Sequence, residues 1–118
     1  MIEHYYLTDP GKVRDHNEDS VIIINNYSNE YIMAVADGMG GHKNGEVASS
    51  IAISHLGKNF KSLGTIGTKE EAVNWLKETV SEANALIYKY TEENKESVGM
   101  GTTLVVAIVT KDYLLFGN

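Results

Sequence analysis

The strongest constraint on the fold is the order in which two kinds of periodicity follow one another. Val47, Ala48, Ile51, Ala52, Leu56 and Phe60 recur at steps of three and four, which places them on one face of a helix. Val73, Leu76, Val80, Ala83, Ile87 and Tyr90 repeat that spacing and predict a second helix, running to about Glu93. Short apolar runs that read as strands bracket the pair. "DSVIIINN" (Asp19 to Asn26) and "EYIMAVAD" (Glu30 to Asp37) precede it; "TTLVVAIVT" (Thr102 to Thr110) and "YLLFGN" (Tyr113 to Asn118) follow it. Strands, then two helices, then strands predict an antiparallel α+β arrangement rather than alternating βαβ units. A further short strand is expected over His4 to Asp9, ended by the turn pair Pro10-Gly11.

Local punctuation refines this order. "NYSNE" between the first two apolar runs reads as a hairpin loop, and Lys111-Asp112 as a turn. Asn44 is an expected N-cap for the first helix, with Glu46 favourable beside the positive helix N-terminus. Gly57 is expected to weaken or end that helix. Thr68 with Glu71 three residues on is a capping-box pattern opening the second helix. No internal repeat, low-complexity tract or linker divides the sequence, so residues 1–118 are expected to belong to a single domain.

Composition removes several function classes. The formal net charge is -6, from ten basic and sixteen acidic residues, with no Lys/Arg stripe. Nucleic-acid binding by phosphate neutralisation is therefore disfavoured. The chain has no cysteine, which excludes disulfides, thiol catalysis and cysteine-ligated zinc. The opening "MIEHYYLTDP" has no basic region followed by a long apolar run, so it is not a signal peptide. No apolar run approaches the ~20 residues of a membrane span. A cytoplasmic location is the resulting expectation.

Chemistry concentrates in "VADGMGGHKNGE" (Val35 to Glu46). Four glycines just past an apolar run are costly to order and call for a reason. A dinucleotide fingerprint fails, because Lys43 stands where the third glycine belongs. A Walker A loop fails too: Gly40 and Gly45 have the spacing, but Glu46-Val47 replaces the lysine and hydroxyl. A metal reading fits better. Asp37 closes an apolar strand and Gly38 leaves its backbone carbonyl sterically open. A carboxylate plus a carbonyl is a hard-oxygen set suited to magnesium or manganese. The histidines show no zinc-protease spacing.

A second acidic cluster lies in "KVRDHNEDS", where Arg14 precedes Glu18 and Asp19. Adjacent carboxylates repel unless a positive group compensates, and a divalent cation would do so. Arg14 could hold an anionic oxygen group through its guanidinium fork. A plain structural reading stands beside this one. Asp19 then simply begins a strand, Arg14, Asp15 and Glu18 form a solvated ion-paired surface, and Asp37-Gly38 is a turn.

Taken in order, "TDPGKVRDHNEDS", "VADGMGGHKNGEVAS" and "GMGTTLVVAIV" resemble the bacterial metal-dependent Ser/Thr protein phosphatases of type 2C. The resemblance runs from Thr8 to Val109 and covers about the first half of that domain. It implies two stacked antiparallel β-sheets flanked by antiparallel helices, here incomplete. It further implies a pair of manganese or magnesium ions. By resemblance, Asp37 bridges the ions, the Gly38 carbonyl contacts one of them, and Glu18 and Asp19 reach the metal centre directly or through water. Arg14 corresponds to the arginine that holds the substrate phosphate, and the nucleophile is a metal-activated water. The partners implied are phosphoproteins, often substrates of a cognate membrane Ser/Thr kinase. His42 is not assigned as a general acid: the family position for that histidine is held by Met39. Met100 to Thr103 resembles a strand motif that supports the core, and Val105 and Ile108 read as core.

One departure matters. After a strand like "YLLFGN" the family continues to Gly-Asp-Ser and then to two more aspartates that complete the metal site; none of these is present. The sequence therefore predicts a truncated, inactive fragment of the domain, with a non-catalytic metal-binding or interaction module as the alternative.

Overall fold

The computed structural model describes residues 19–39, 42–94, 96 and 99–118. The strand expected over His4 to Asp9 lies outside them. The described elements run β1 (Asp19–Asn25), β2 (Tyr31–Met39), α1 (His42–Lys61), α2 (Lys69–Glu93), β3 (Gly101–Val109) and β4 (Leu114–Gly117). The strands form one antiparallel sheet in the order β1-β2-β3-β4. α1 lies on β1, β2 and β3, and α2 packs on α1. This is the α+β order that the periodicities predict, with one sheet of the implied sandwich among the described residues.

The β1–β2 hairpin is built by its asparagines. Buried Asn26 accepts, through Oδ1, hydrogen bonds from the backbone N–H of Ser28 at 3.0 Å and of Glu30 at 3.1 Å. Asn29 takes φ 58°, a left-handed conformation that asparagine tolerates better than most residues. Glu30 then joins this loop to the α1–α2 connection. Its carboxylate accepts from Asn26 Nδ2 at 2.8 Å, the Ile66 amide at 2.8 Å and Thr65 Oγ1 at 3.1 Å.

Strand residues alternate between two faces. Ile32, Ala34, Ala36 and Gly38 of β2 and Val106 and Ile108 of β3 are buried on the helix side. There the apolar ones meet Ile53, Leu56 and Phe60 of α1, Ile66 of the α1–α2 connection and Ala72 of α2. The packing is graded. Small residues (Ala34, Ala36, Gly38, Ala48, Ser49, Ala52) are buried near the Asp37 end of β2. Ile32, Ile108, Leu56 and Phe60 fill the other end. The opposite sheet face exposes Ile23, Val105, Leu114 and Phe116, so Val105 is not core. A sheet apolar on both faces is one suited to a second covering layer.

Both helices follow their periodic stretches, with corrections. α1 begins at His42, so Asn44 is inside the helix and not its N-cap, and its Nδ2 donates to the Glu96 carbonyl at 3.2 Å. Glu46 accordingly lies beyond the first turn. Gly57 does not end α1. A Cβ there would sit 2.9 Å from Ile24 Cδ1 and 3.4 Å from Ile22 Cδ1, so the glycine lets the helix lie close on β1.

α2 opens as the sequence predicts. The Glu71 N–H donates to Thr68 Oγ1 at 3.2 Å and the Thr68 N–H to Glu71 Oε1 at 3.0 Å, a complete capping box. Those Thr68 hydrogen bonds hold the Glu71 carboxyl below its usual range. The stabilisation by that carboxylate is therefore present above its unfolded pKa and is lost as pH falls through the lowered folded value. Thr68→Ala is expected to cost about 1 kcal/mol, read as a lower urea midpoint with an unchanged slope. No loss at pH 7 would show that the box contributes nothing. The buried stripe of α2 is Ala72, Thr79, Ala83 and Ile87. Val73, Leu76 and Val80 are half-buried along a groove of about 870 Å³ between α2 and β3–β4. No helix among the described residues is long and apolar enough to cross a membrane.

Candidate metal centre

The hairpin register decides what the two acidic clusters share. Asp19 begins β1 and is the cross-strand partner of Asp37, near the end of β2. Like charges directly opposite on an antiparallel pair are destabilising, so this arrangement calls for a positive partner. The Asp37 side chain is exposed. Its backbone carbonyl accepts a hydrogen bond from Thr103 Oγ1 at 3.4 Å, across the β2–β3 pairing that sets Asp37 against Thr103 and Gly38 against Thr102. The Met100 to Thr103 motif thus braces the strand end that carries Asp37. Met100 itself is buried with Ala48 and Ile87.

Gly38 has a different reason from the one its sequence context suggests. It is inside β2, which continues through Met39, and its φ is not left-handed. It neither bends the chain nor ends the strand. A Cβ at Gly38 would lie 1.9 Å from the Gly45 carbonyl oxygen and 2.7 Å from Gly45 Cα. Backbone meets backbone here, and β2 rests directly on the start of α1. Beside it, Ser20 Oγ lies 3.2 Å from Ser49 Oγ, joining β1 to the same helix. Sequence periodicity missed Ser49, because a serine at a core-facing position leaves no apolar signal.

Arg14 and Glu18 lie outside the described residues, as do the side chains of Asp19 and His42. Among the described residues, no three His, Cys, Asp or Glu side chains form a metal-ligating group. The donor chemistry present nonetheless fits a hard divalent cation. It consists of an exposed carboxylate at Asp37, a carbonyl at Gly38 and a facing aspartate position at 19, in a chain without cysteine.

Comparisons with known proteins identify relatives of this chain. The family model described as "Protein phosphatase 2C" matches residues 12–118. The chain is 42% identical over 113 residues to the serine/threonine phosphatase stp of Listeria monocytogenes, covering 96% of this chain and 45% of that relative. The crystal structure of the serine/threonine phosphatase Stp1 from Staphylococcus aureus superposes with a TM-score of 0.80 at 40% identity, covering 94% of this chain and 43% of that one. The catalytic domain of the phosphatase PstP, solved in complex with 2 manganese ions, superposes with a TM-score of 0.71 at 33% identity, covering 92% and 43%. The chain thus spans just under half the length of the relatives it matches. With the family match running through both acidic clusters and the helices between the strand pairs, this chain belongs to the protein phosphatase 2C family.

Proposed function

We propose that this chain contributes the metal- and phosphate-facing residues of a protein serine/threonine phosphatase, which hydrolyses phosphoserine and phosphothreonine with manganese or magnesium. The observation that carries this reading is the register setting Asp19 across from the exposed Asp37. Asp37, the Gly38 carbonyl, Asp19 and Glu18 are the residues proposed to hold two ions, and Arg14 to hold the substrate phosphate. Bound ions supply a water acidic enough to act as a nucleophile near neutral pH. The protein's part is positional. The paired strand ends set positions 19 and 37 opposite each other, and the proposed role of the Arg14 guanidinium is to orient a phosphoryl group by paired hydrogen bonds. The proposed substrates are phosphoproteins of the cytoplasm, including those of a cognate Ser/Thr kinase. The relatives' names as serine/threonine phosphatases support this class.

The test is manganese titration of the purified chain, read as thermal stability. A specific site is expected to add about 2.7 kcal/mol at a hundredfold excess over Kd. Asp37→Asn is expected to abolish that gain. Without metal, the same variant is expected to be slightly more stable, by ~0.2–1 kcal/mol, because it removes one of two facing like charges. An undiminished manganese response in Asp37→Asn would overturn the assignment.

A further inference from the structure

We propose that Ser49, acting through Ser20, is a positioning residue for the metal centre, and that the Gly45–Ser49 row of α1 sets the spacing of the two strand ends. This inference rests on the metal reading above and asks what holds its carboxylates in place. Gly45 and Ser49 are one turn apart, so they share a face of α1. Gly45 is buried against Gly38 of β2, which is next to Asp37. Ser49, fully buried, meets Ser20 of β1, which is next to Asp19. One helical face therefore touches both strands at the residue adjoining each aspartate.

Ser49 Oγ donates to the Glu46 carbonyl at 3.3 Å. The same Ser49 Oγ lies 3.2 Å from Ser20 Oγ, where either hydroxyl can donate. The Ser20 hydroxyl is thus tied to a buried hydroxyl on α1. A hydrogen bond between strand and helix at this point resists sliding of β1 along β2. A slip of one residue would carry Asp19 to the other face of the sheet. The backbone contact at Gly38 provides the second point of support, and two points define a spacing where one would allow rotation.

The experiment measures the manganese Kd of the purified chain by electron paramagnetic resonance, together with metal-free melting. Ser49→Ala and Ser20→Ala are each expected to weaken manganese binding about tenfold, the lower end for loss of a group that orients a ligand. The double variant should be no weaker than either single, since both remove one bond. Ser20→Thr, which keeps a hydroxyl on a strand-compatible side chain, should restore affinity near wild type. Thr68→Ala, remote from the site, should lower the melting temperature and leave the Kd unmoved. If Ser49→Ala and Ser20→Ala lower melting while the manganese Kd stays at the wild-type value, the contact is packing only and the proposal is overturned. If Asp37→Asn also leaves the Kd unchanged, or the wild type binds no manganese, the metal reading itself fails.

Discussion

Gly38→Ala is expected to destabilise the chain by about 1–3 kcal/mol or more and to disrupt manganese binding with it. Two effects oppose each other here. Alanine in place of a strand glycine ordinarily gains about 0.5–1 kcal/mol through reduced freedom of the unfolded chain. Against that stands a Cβ placed 1.9 Å from the Gly45 carbonyl oxygen. Rotamer changes cannot relieve this clash, because the atoms met are helix backbone. Either β2 or the start of α1 must move, and the movement falls on the strand end that carries Asp37. The clash therefore wins. Equilibrium urea unfolding would show it as a lowered midpoint. A variant as stable as the wild type, with its manganese response intact, would contradict the close approach of β2 and α1.

Phe60→Ala is expected to have a comparable or larger effect, about 3–5 kcal/mol. Phe60 is fully buried in the cluster of Ile32, Leu56, Ile66 and Ile108. It meets Trp75 edge-on, with ring centroids 5.7 Å apart and planes at 69°, an arrangement that adds about 0.5–1.5 kcal/mol beyond area burial. The residue also joins three layers, since α1 carries it, the sheet lies beneath and Trp75 of α2 covers it. A small domain has only about 5–15 kcal/mol in total, so this loss is expected to leave a substantial unfolded population. Trp75 is the single tryptophan, and its fluorescence reports the change directly. A loss below about 1 kcal/mol would mean that the ring is not anchored as described.

Legibility in the sequence followed the range of the interactions. The α2 start was readable because the capping box is a contact between residues three apart, Thr68 and Glu71. The hairpin was readable because Asn26 and Asn29 build it locally. The start of α1 was misplaced at Asn44, whose side chain instead bonds the Glu96 carbonyl, far along the chain. Gly57 read as a helix breaker because its partners, Ile22 and Ile24, belong to another element. Val105 read as core because its apolar character is local, whereas its exposure depends on which sheet face the helices cover.

By itself, the sequence determined the strand–helix–helix–strand order, the antiparallel class, the family resemblance and Asp37 with Gly38 as centre of interest. The order and the class follow from periodicity, and the resemblance rests on the motifs themselves, all of which a linear string carries. Only the tertiary structure decided that Asp19 faces Asp37. It also decided that Gly38 is glycine because α1 presses on it, and that Ser49 reaches Ser20. The physical reason is steric. Register and close backbone approach depend on what a distant element brings within a few ångströms, and composition leaves no trace of that distance.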